Sequence, residues 1–162
     1  MKLKVNDQIP DTVIFQLVNG EPQKSNLREI LGNRKIVLFG LPGAFTSTCS
    51  KLHLPGFVSH ADKIKAKGIE QIFCLSVNDP YVMNGWGEIN NTGDKIKMLS
   101  DPYLLFTKAI GAEVDRNTKG MGIRSNRYLM VIENFIVVNI HEEKETKECG
   151  LTSAENLLNN LL

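Results

Sequence analysis

Apolar positions along the chain fall into short blocks that switch between a strand-like and a helix-like period. Ile36-Val37-Leu38-Phe39 is continuous, so Lys35 to Gly40 reads as a buried strand. Phe57, Ala61 and Ile64 then recur at helical spacing within a helix expected from about Thr48 to Ala66. Pro55-Gly56 sits inside that pattern and predicts a kink or break. Ile72 to Val77 is a second strand, closed by Asn78-Asp79-Pro80. Asp79 before Pro80 predicts an N-cap followed by proline at the first helical position, with Val82, Trp86 and Ile89 along one face. A short strand, Ile96 to Leu99, meets a second such start at Asp101-Pro102 and a helix to about Ile110. The glycine-punctuated residues 111–124 predict an irregular, functional loop. Arg127 to Ile132 and Phe135 to Ile140 predict a hairpin about Glu133-Asn134. Thr152-Ser153-Ala154-Glu155 fits a capping box before a last helix carrying Leu157, Leu158 and Leu161.

Strand and helix alternate three times, then a hairpin and a final helix follow. That order predicts an α/β domain with a mixed central sheet flanked by helices. With one inserted element it resembles a thioredoxin-like fold. A length of 162 residues suits a single domain over residues 1–162. Charge changes the picture by exclusion. Lys and Arg total 19 against 18 Asp and Glu, so no global field attracts nucleic acid or an anionic membrane. Aromatics at 7% argue against a stacking platform for single strands. The apolar runs are strand-sized and too short to span a bilayer. The first residues, Met1-Lys2-Leu3-Lys4-Val5, lack the apolar run of a signal peptide, so the expected setting is cytoplasmic and reducing.

Candidate chemistry centres on cysteine. Three cysteines is an odd number, which leaves at least one thiol unpaired in a monomer. Cys49 follows a buried strand and falls in the first turn of the next helix. Free N–H groups and the positive end of the helix dipole there favour thiolate over thiol. Thr46 is three residues earlier and can present its hydroxyl to the same point, while Pro42 and Phe45 can exclude water. The competing reading is a small buried residue at a strand–helix junction. His53, four residues after Cys49, is expected to pack or hydrogen-bond near the site rather than to ligate metal, because no further ligands are in register.

Pro42-x-x-x-Thr46-x-x-Cys49 resembles the active-site signature of peroxiredoxins, thiol peroxidases built on the thioredoxin fold. The wider strings resemble their peroxiredoxin-5, or type II, subfamily: Pro42-Gly43-Ala44-Phe45-Thr46, Cys49-Ser50-Lys51, His53-Leu54-Pro55-Gly56-Phe57, Leu75-Ser76-Val77-Asn78-Asp79-Pro80 with Trp86, and Arg124-Ser125-x-Arg127-Tyr128. The resemblance implies that Cys49 attacks hydrogen peroxide or an alkyl hydroperoxide and becomes a sulfenic acid. Thr46, Arg127 and the backbone N–H groups near Thr48 and Cys49 would bind the substrate, Arg127 would stabilise thiolate and developing charge, and Pro42 would shield the sulfur. No metal or organic cofactor is implied. Arg124 receives a supporting role, and without the resemblance nothing chooses between the two arginines. One departure lies inside the motif, where Ser47 stands in place of the usual proline and predicts a looser turn.

The resemblance leaves regeneration open between two resolving candidates, Cys149 and Cys74. Cys74 lies between Phe73 and Leu75 in a strand and is expected to be buried. Cys149 lies in the charged stretch Lys144 to Gly150 and is expected to be exposed. In animal-type relatives a resolving cysteine directly follows Gly-Leu-Thr, whereas here Ser153 follows Gly150-Leu151-Thr152. One-cysteine chemistry is therefore expected, with glutathione, glutaredoxin or thioredoxin as reductant, and the resemblance also implies a homodimer. Two alternatives are a disulfide oxidoreductase, which normally needs a C-x-x-C pair absent here, and a redox-inert thioredoxin-fold binding module.

Overall fold

The computed structural model describes residues Met1–Leu162. A seven-stranded mixed sheet runs through it in the order β2 (Glu21–Asn26), β1 (Val13–Val18), β5 (Ile96–Ser100), β4 (Gln71–Ser76), β3 (Lys35–Gly40), β8 (Tyr128–Glu133), β9 (Ile136–Glu142). Its centre is β3, parallel to β4, which is parallel to β5. On the other side β3 pairs antiparallel with β8, and β8 with β9. The far edge is a hairpin of β1 and β2, leading into α1 (Leu27–Leu31). This hairpin and α1 were outside the elements read from sequence. Its signal was Asn19-Gly20, whose φ values of 51° and 82° make the left-handed two-residue turn that such hairpins need.

Because side chains alternate across a strand, β3 feeds two cores. Val37 and Phe39 join Phe57, Ala61 and Ile64 of α2 (Leu54–Ala66), Trp86 of α3 (Pro80–Ile89) and Leu157 near the C-terminus. Ile36 and Leu38 join Leu27 and Leu31 of α1 and Phe106 of α4 (Leu105–Ala109) on the opposite face. Burial on both faces explains why β3 is apolar throughout.

Several expectations change. The chain is helical through Pro55-Gly56 without a break, and the irregularity lies upstream as a π-turn over Cys49–His53. There the Leu54 N–H reaches back to the Cys49 carbonyl, five residues away, and this wider turn directly precedes the proline that cannot donate. In α3, Met83, Trp86 and Gly87 face inward while Ile89 is 70% exposed. A Cβ at Gly87 would crowd Met98 and Thr92, so close approach at that glycine rotates the helix away from the expected stripe. The Asp101 carboxylate caps α4 through the Phe106 and Thr107 N–H groups, but a turn with Leu104 at φ 60° delays the helix to Leu105.

Residues 111–124 are not an irregular loop. They form a ribbon of β6 (Glu113–Asp115) and β7 (Ile123–Ser125) about a 3-10 turn at Asn117–Lys119. The β8–β9 turn falls on Asn134 and Phe135, both at positive φ, one residue later than expected. Finally, Ser153 rather than Thr152 caps α5 (Ala154–Asn156), accepting from the Asn156 N–H at 3.1 Å. Thr152 is diverted because its N–H and hydroxyl both donate to Glu143.

Candidate active site

Topology brings the candidate residues together. Gly40, the last residue of β3, lies opposite Tyr128, the first of β8. The loop leaving β3 and the residue entering β8 are therefore neighbours. Arg127 shares strand parity with Leu129 and Val131, which face the core beneath α2, and so it points toward the start of that helical segment. Gly40 is required for the approach, since a Cβ there would overlap the Tyr128 ring.

Cys49 lies in the first turn of the segment that begins at Ser47 and is 1% exposed. Arg127 Nη2 is 3.4 Å from Cys49 Sγ and donates to the Thr146 carbonyl at 2.8 Å. Its Nη1 is 2.9 Å from His53 Nδ1. A guanidinium can only donate, so Nδ1 accepts and the His53 proton sits on Nε2, which donates to the Thr152 carbonyl at 2.9 Å. Burial, with the adjacent Arg127 charge, lowers the His53 pKa to about 3. The ring is therefore neutral, as its acceptor role requires. Phe39 and Phe57 stack on each other at 4.1 Å and flank the imidazole at 4.9 and 5.5 Å.

Arg127 is itself fully buried, and no carboxylate lies within 4 Å of it. A buried cation held only by neutral acceptors is costly, and an anionic sulfur at Cys49 would offset that cost. The rest of the motif meets Arg127, which links it to the sulfur. Pro42 is buried, and Pro42, Thr46, Thr48 and Arg127 line a pocket of about 100 Å³. Thr46 Oγ1 donates to the Gly43 carbonyl at 2.8 Å, and the Thr48 and Cys49 N–H groups have no backbone acceptor. Phe45, at φ 63°, holds a left-handed conformation uncommon for a bulky residue, and this reverses the chain before the helix. Arg124 stands apart, donating from Nε to the Met121 carbonyl beside Gly43, so it braces the loop rather than touching the sulfur.

The other two thiols are placed differently. Cys74 is fully buried in β4, where burial first and the neighbouring Cys49 second push its pKa well up. Cys149 is half-buried, and burial raises its pKa while Arg127 pulls the other way. All three thiols are free. Sequence reasoning missed Thr146, which contributes a backbone carbonyl and so has no side-chain signature. It also missed Arg116, Lys119 and Lys147 on the outer rim of the pocket. Basic residues in the glycine-punctuated stretch were the available signal. Trp86, expected as core, is also a link, because its indole N–H donates to Ser50 Oγ at 3.0 Å.

Comparison with known proteins shows what the chain as a whole is similar to. Residues 4–158 match the family model described as Redoxin. The chain is 39% identical over 157 residues to Peroxiredoxin-2D of Arabidopsis thaliana, covering 96% of each. Reduced Prx3 from Vibrio vulnificus in complex with hydrogen peroxide superposes with a TM-score of 0.91 at 40% identity, covering 96% of this chain and 97% of that one. The Plasmodium falciparum antioxidant protein, a 1-Cys peroxiredoxin, gives 0.87 at 32% identity, covering 96% of each.

Proposed function

The chain belongs to the redoxin family as a peroxiredoxin, a thiol peroxidase, and from that premise we propose that Cys49 is its peroxide-attacking thiol. The observation that carries this is the 3.4 Å approach of Arg127 Nη2 to Cys49 Sγ in a site with no other anion for that cation. The Cys49 thiolate attacks one oxygen of hydrogen peroxide or an alkyl hydroperoxide as the O–O bond breaks. The departing oxygen takes a proton and leaves as water or alcohol, and the sulfur retains a hydroxyl as sulfenic acid. Arg127 stabilises the thiolate and the charge passing to the leaving oxygen. The Thr46 hydroxyl and the unpartnered N–H groups of Thr48 and Cys49 orient the peroxide, and Pro42 keeps water from the sulfur.

His53 is a positioning residue. It holds Arg127 from behind with a neutral ring, leaving the full guanidinium charge directed at the sulfur.

Regeneration proceeds by one-cysteine chemistry. A thiol from glutathione, glutaredoxin or thioredoxin attacks the sulfenic sulfur, forms a disulfide and releases water. A second thiol then frees Cys49. This reading is supported by the raised pKa of Cys74 and Cys149, which keeps both protonated and weakly nucleophilic. The setting is a reducing cytoplasm, and the enzyme works as a homodimer. A peroxide-consumption assay with a panel of reductants tests the reading. Wild type should turn over and Cys49→Ser should not; equal rates in the two proteins would refute the assignment.

A further inference from the structure

The pocket mouth between Arg127 and the loop from Pro42 to Thr48 carries a charge pattern that an uncharged peroxide does not use. Its outer rim is Arg116, Lys119 and Lys147, with Arg127 at its base, and no carboxylate lines it. Arg116, Lys119, Thr146 and Lys147 also line an adjoining cleft of about 380 Å³. Of the two acids of that cleft, Glu145 is ion-paired with Lys147 at 2.8 Å and Asp115 is held by the Asn117 backbone N–H at 2.7 Å. Neither Arg116 nor Lys119 has an ion-pair partner, and Arg116 Nε is buried without an acceptor. In a chain whose formal net charge is +1, this concentration of cations is local to the mouth.

We infer that Arg116 and Lys119 form a carboxylate-binding subsite beside the peroxide pocket, which holds the acid group of a small organic substrate while its reactive end reaches Cys49. The inference deepens the assignment of Cys49 as the reacting thiol and rests on it. Carboxylate is the anion that small thiols and organic hydroperoxides carry. The roughly 100 Å³ mouth admits only the reactive end, so the acid-bearing remainder occupies the cleft. Two sources share this chemistry. A carboxylated hydroperoxide would lose its terminal oxygen to Cys49 and leave as the alcohol. A carboxylated thiol would form a mixed disulfide with the sulfenic sulfur and release water, and a second thiol would then free Cys49.

The test is stopped-flow single turnover in two arms. The oxidation arm compares tert-butyl hydroperoxide with its carboxylated analogue, and the reduction arm compares mercaptoethanol with mercaptopropionate. The quantity read is the ratio of charged to neutral rates, so a general loss of folded protein cancels. Wild type should favour the charged partner in at least one arm, and the Arg116→Gln, Lys119→Gln double variant should lower that ratio about tenfold, equivalent to about 1.4 kcal/mol. The preference should fade with added salt. A remote control, Lys24→Gln on β2, should keep the wild-type ratio. A drop confined to the reduction arm assigns the subsite to the reductant, and one confined to the oxidation arm assigns it to the oxidant. A ratio near one in wild type, or one unchanged in the double variant, overturns the subsite. Calorimetric titration of the reduced protein with succinate keeps the two claims apart. If the wild type failed to oxidise tert-butyl hydroperoxide, the Cys49 assignment would fall, and loss of succinate binding in the double variant would still decide the subsite.

Discussion

At the scale of single residues, the site is organised round one buried cation and one buried neutral ring. The two Nη groups of Arg127 reach Thr146, His53 and Cys49, a fork of contacts that a lysine ammonium on a flexible stem would not reproduce. Arg127→Lys should slow single-turnover oxidation of Cys49 about 100-fold, the scale of losing one preorganised donor. A rate within threefold of wild type would show that charge alone suffices. His53 makes a separate prediction about stability. Its pKa is about 3 in the folded chain against 6.5 for an ordinary histidine, so between those values the unfolded chain binds a proton that the folded chain refuses. Stability is full above pH 6.5 and falls as pH drops toward 3, by up to about 1.4 kcal/mol per unit. Asp101, whose carboxyl pKa is raised by burial, acts oppositely, since its contribution is lost as pH rises above 3.8. Urea unfolding of wild type and His53→Gln across pH 7 to 4 separates the two. The variant should lose less stability on acidification, and parallel curves would remove His53 as the cause.

At the scale of elements, the strand-to-helix connection after β3 sets the geometry. Gly40 lets the Tyr128 ring lie against the backbone, and this seats Arg127 one residue earlier. Gly40→Ala should cost about 1–3 kcal/mol through overpacking. That appears as a lower melting temperature, by about 2–4 °C per kcal/mol. Ser47 is exposed, opens the helical segment, and donates its N–H to no backbone acceptor, so proline removes nothing there. Ser47→Pro should stabilise by about 0.4–1 kcal/mol by restricting the unfolded chain. Peroxide rates should stay level or rise, and slower oxidation at unchanged fold would contradict the looser-turn reading. The π-turn at Cys49–His53 belongs to this scale too, since it keeps the helix continuous ahead of Pro55.

At the scale of the whole molecule, the placement of the thiols predicts the redox stoichiometry. With Cys74 enclosed in β4 and Cys149 half-buried, one equivalent of peroxide should yield sulfenic acid on Cys49 in intact-mass and peptide mapping experiments. A quantitative Cys49–Cys149 linkage would instead make Cys149 the resolving thiol. Large apolar side chains remain on the surface, among them Phe45 at 59%, Tyr81 at 57% and Tyr103 at 66% exposed. Their partial burial is expected in a homodimer. Sedimentation should give twice the 18.1 kDa chain mass, and a monomer at micromolar concentration would exclude that assembly.

Much of this is legible in the sequence. Hydrophobic period placed β3, β4, β5 and the last hairpin to within a residue or so, because burial of a strand depends on its own apolar run. The Asp79-Pro80 start was legible for the same local reason, and the Asp79 carboxylate accepts from the Val82 N–H as expected. The motif around Cys49 likewise pointed to a thiol at a helix start. What the chain alone could not specify are relations between distant segments. Arg127 rather than Arg124 meets the sulfur because β8 lies beside β3, which brings together two residues 78 apart in the sequence. Thr146 and Thr152 matter through carbonyl groups that every residue possesses, and His53 stays neutral well below pH 6.5 only because burial and Arg127 oppose its protonation. Local chemistry is written in residue types. Desolvation and convergence of backbone acceptors arise only once the chain has closed on itself.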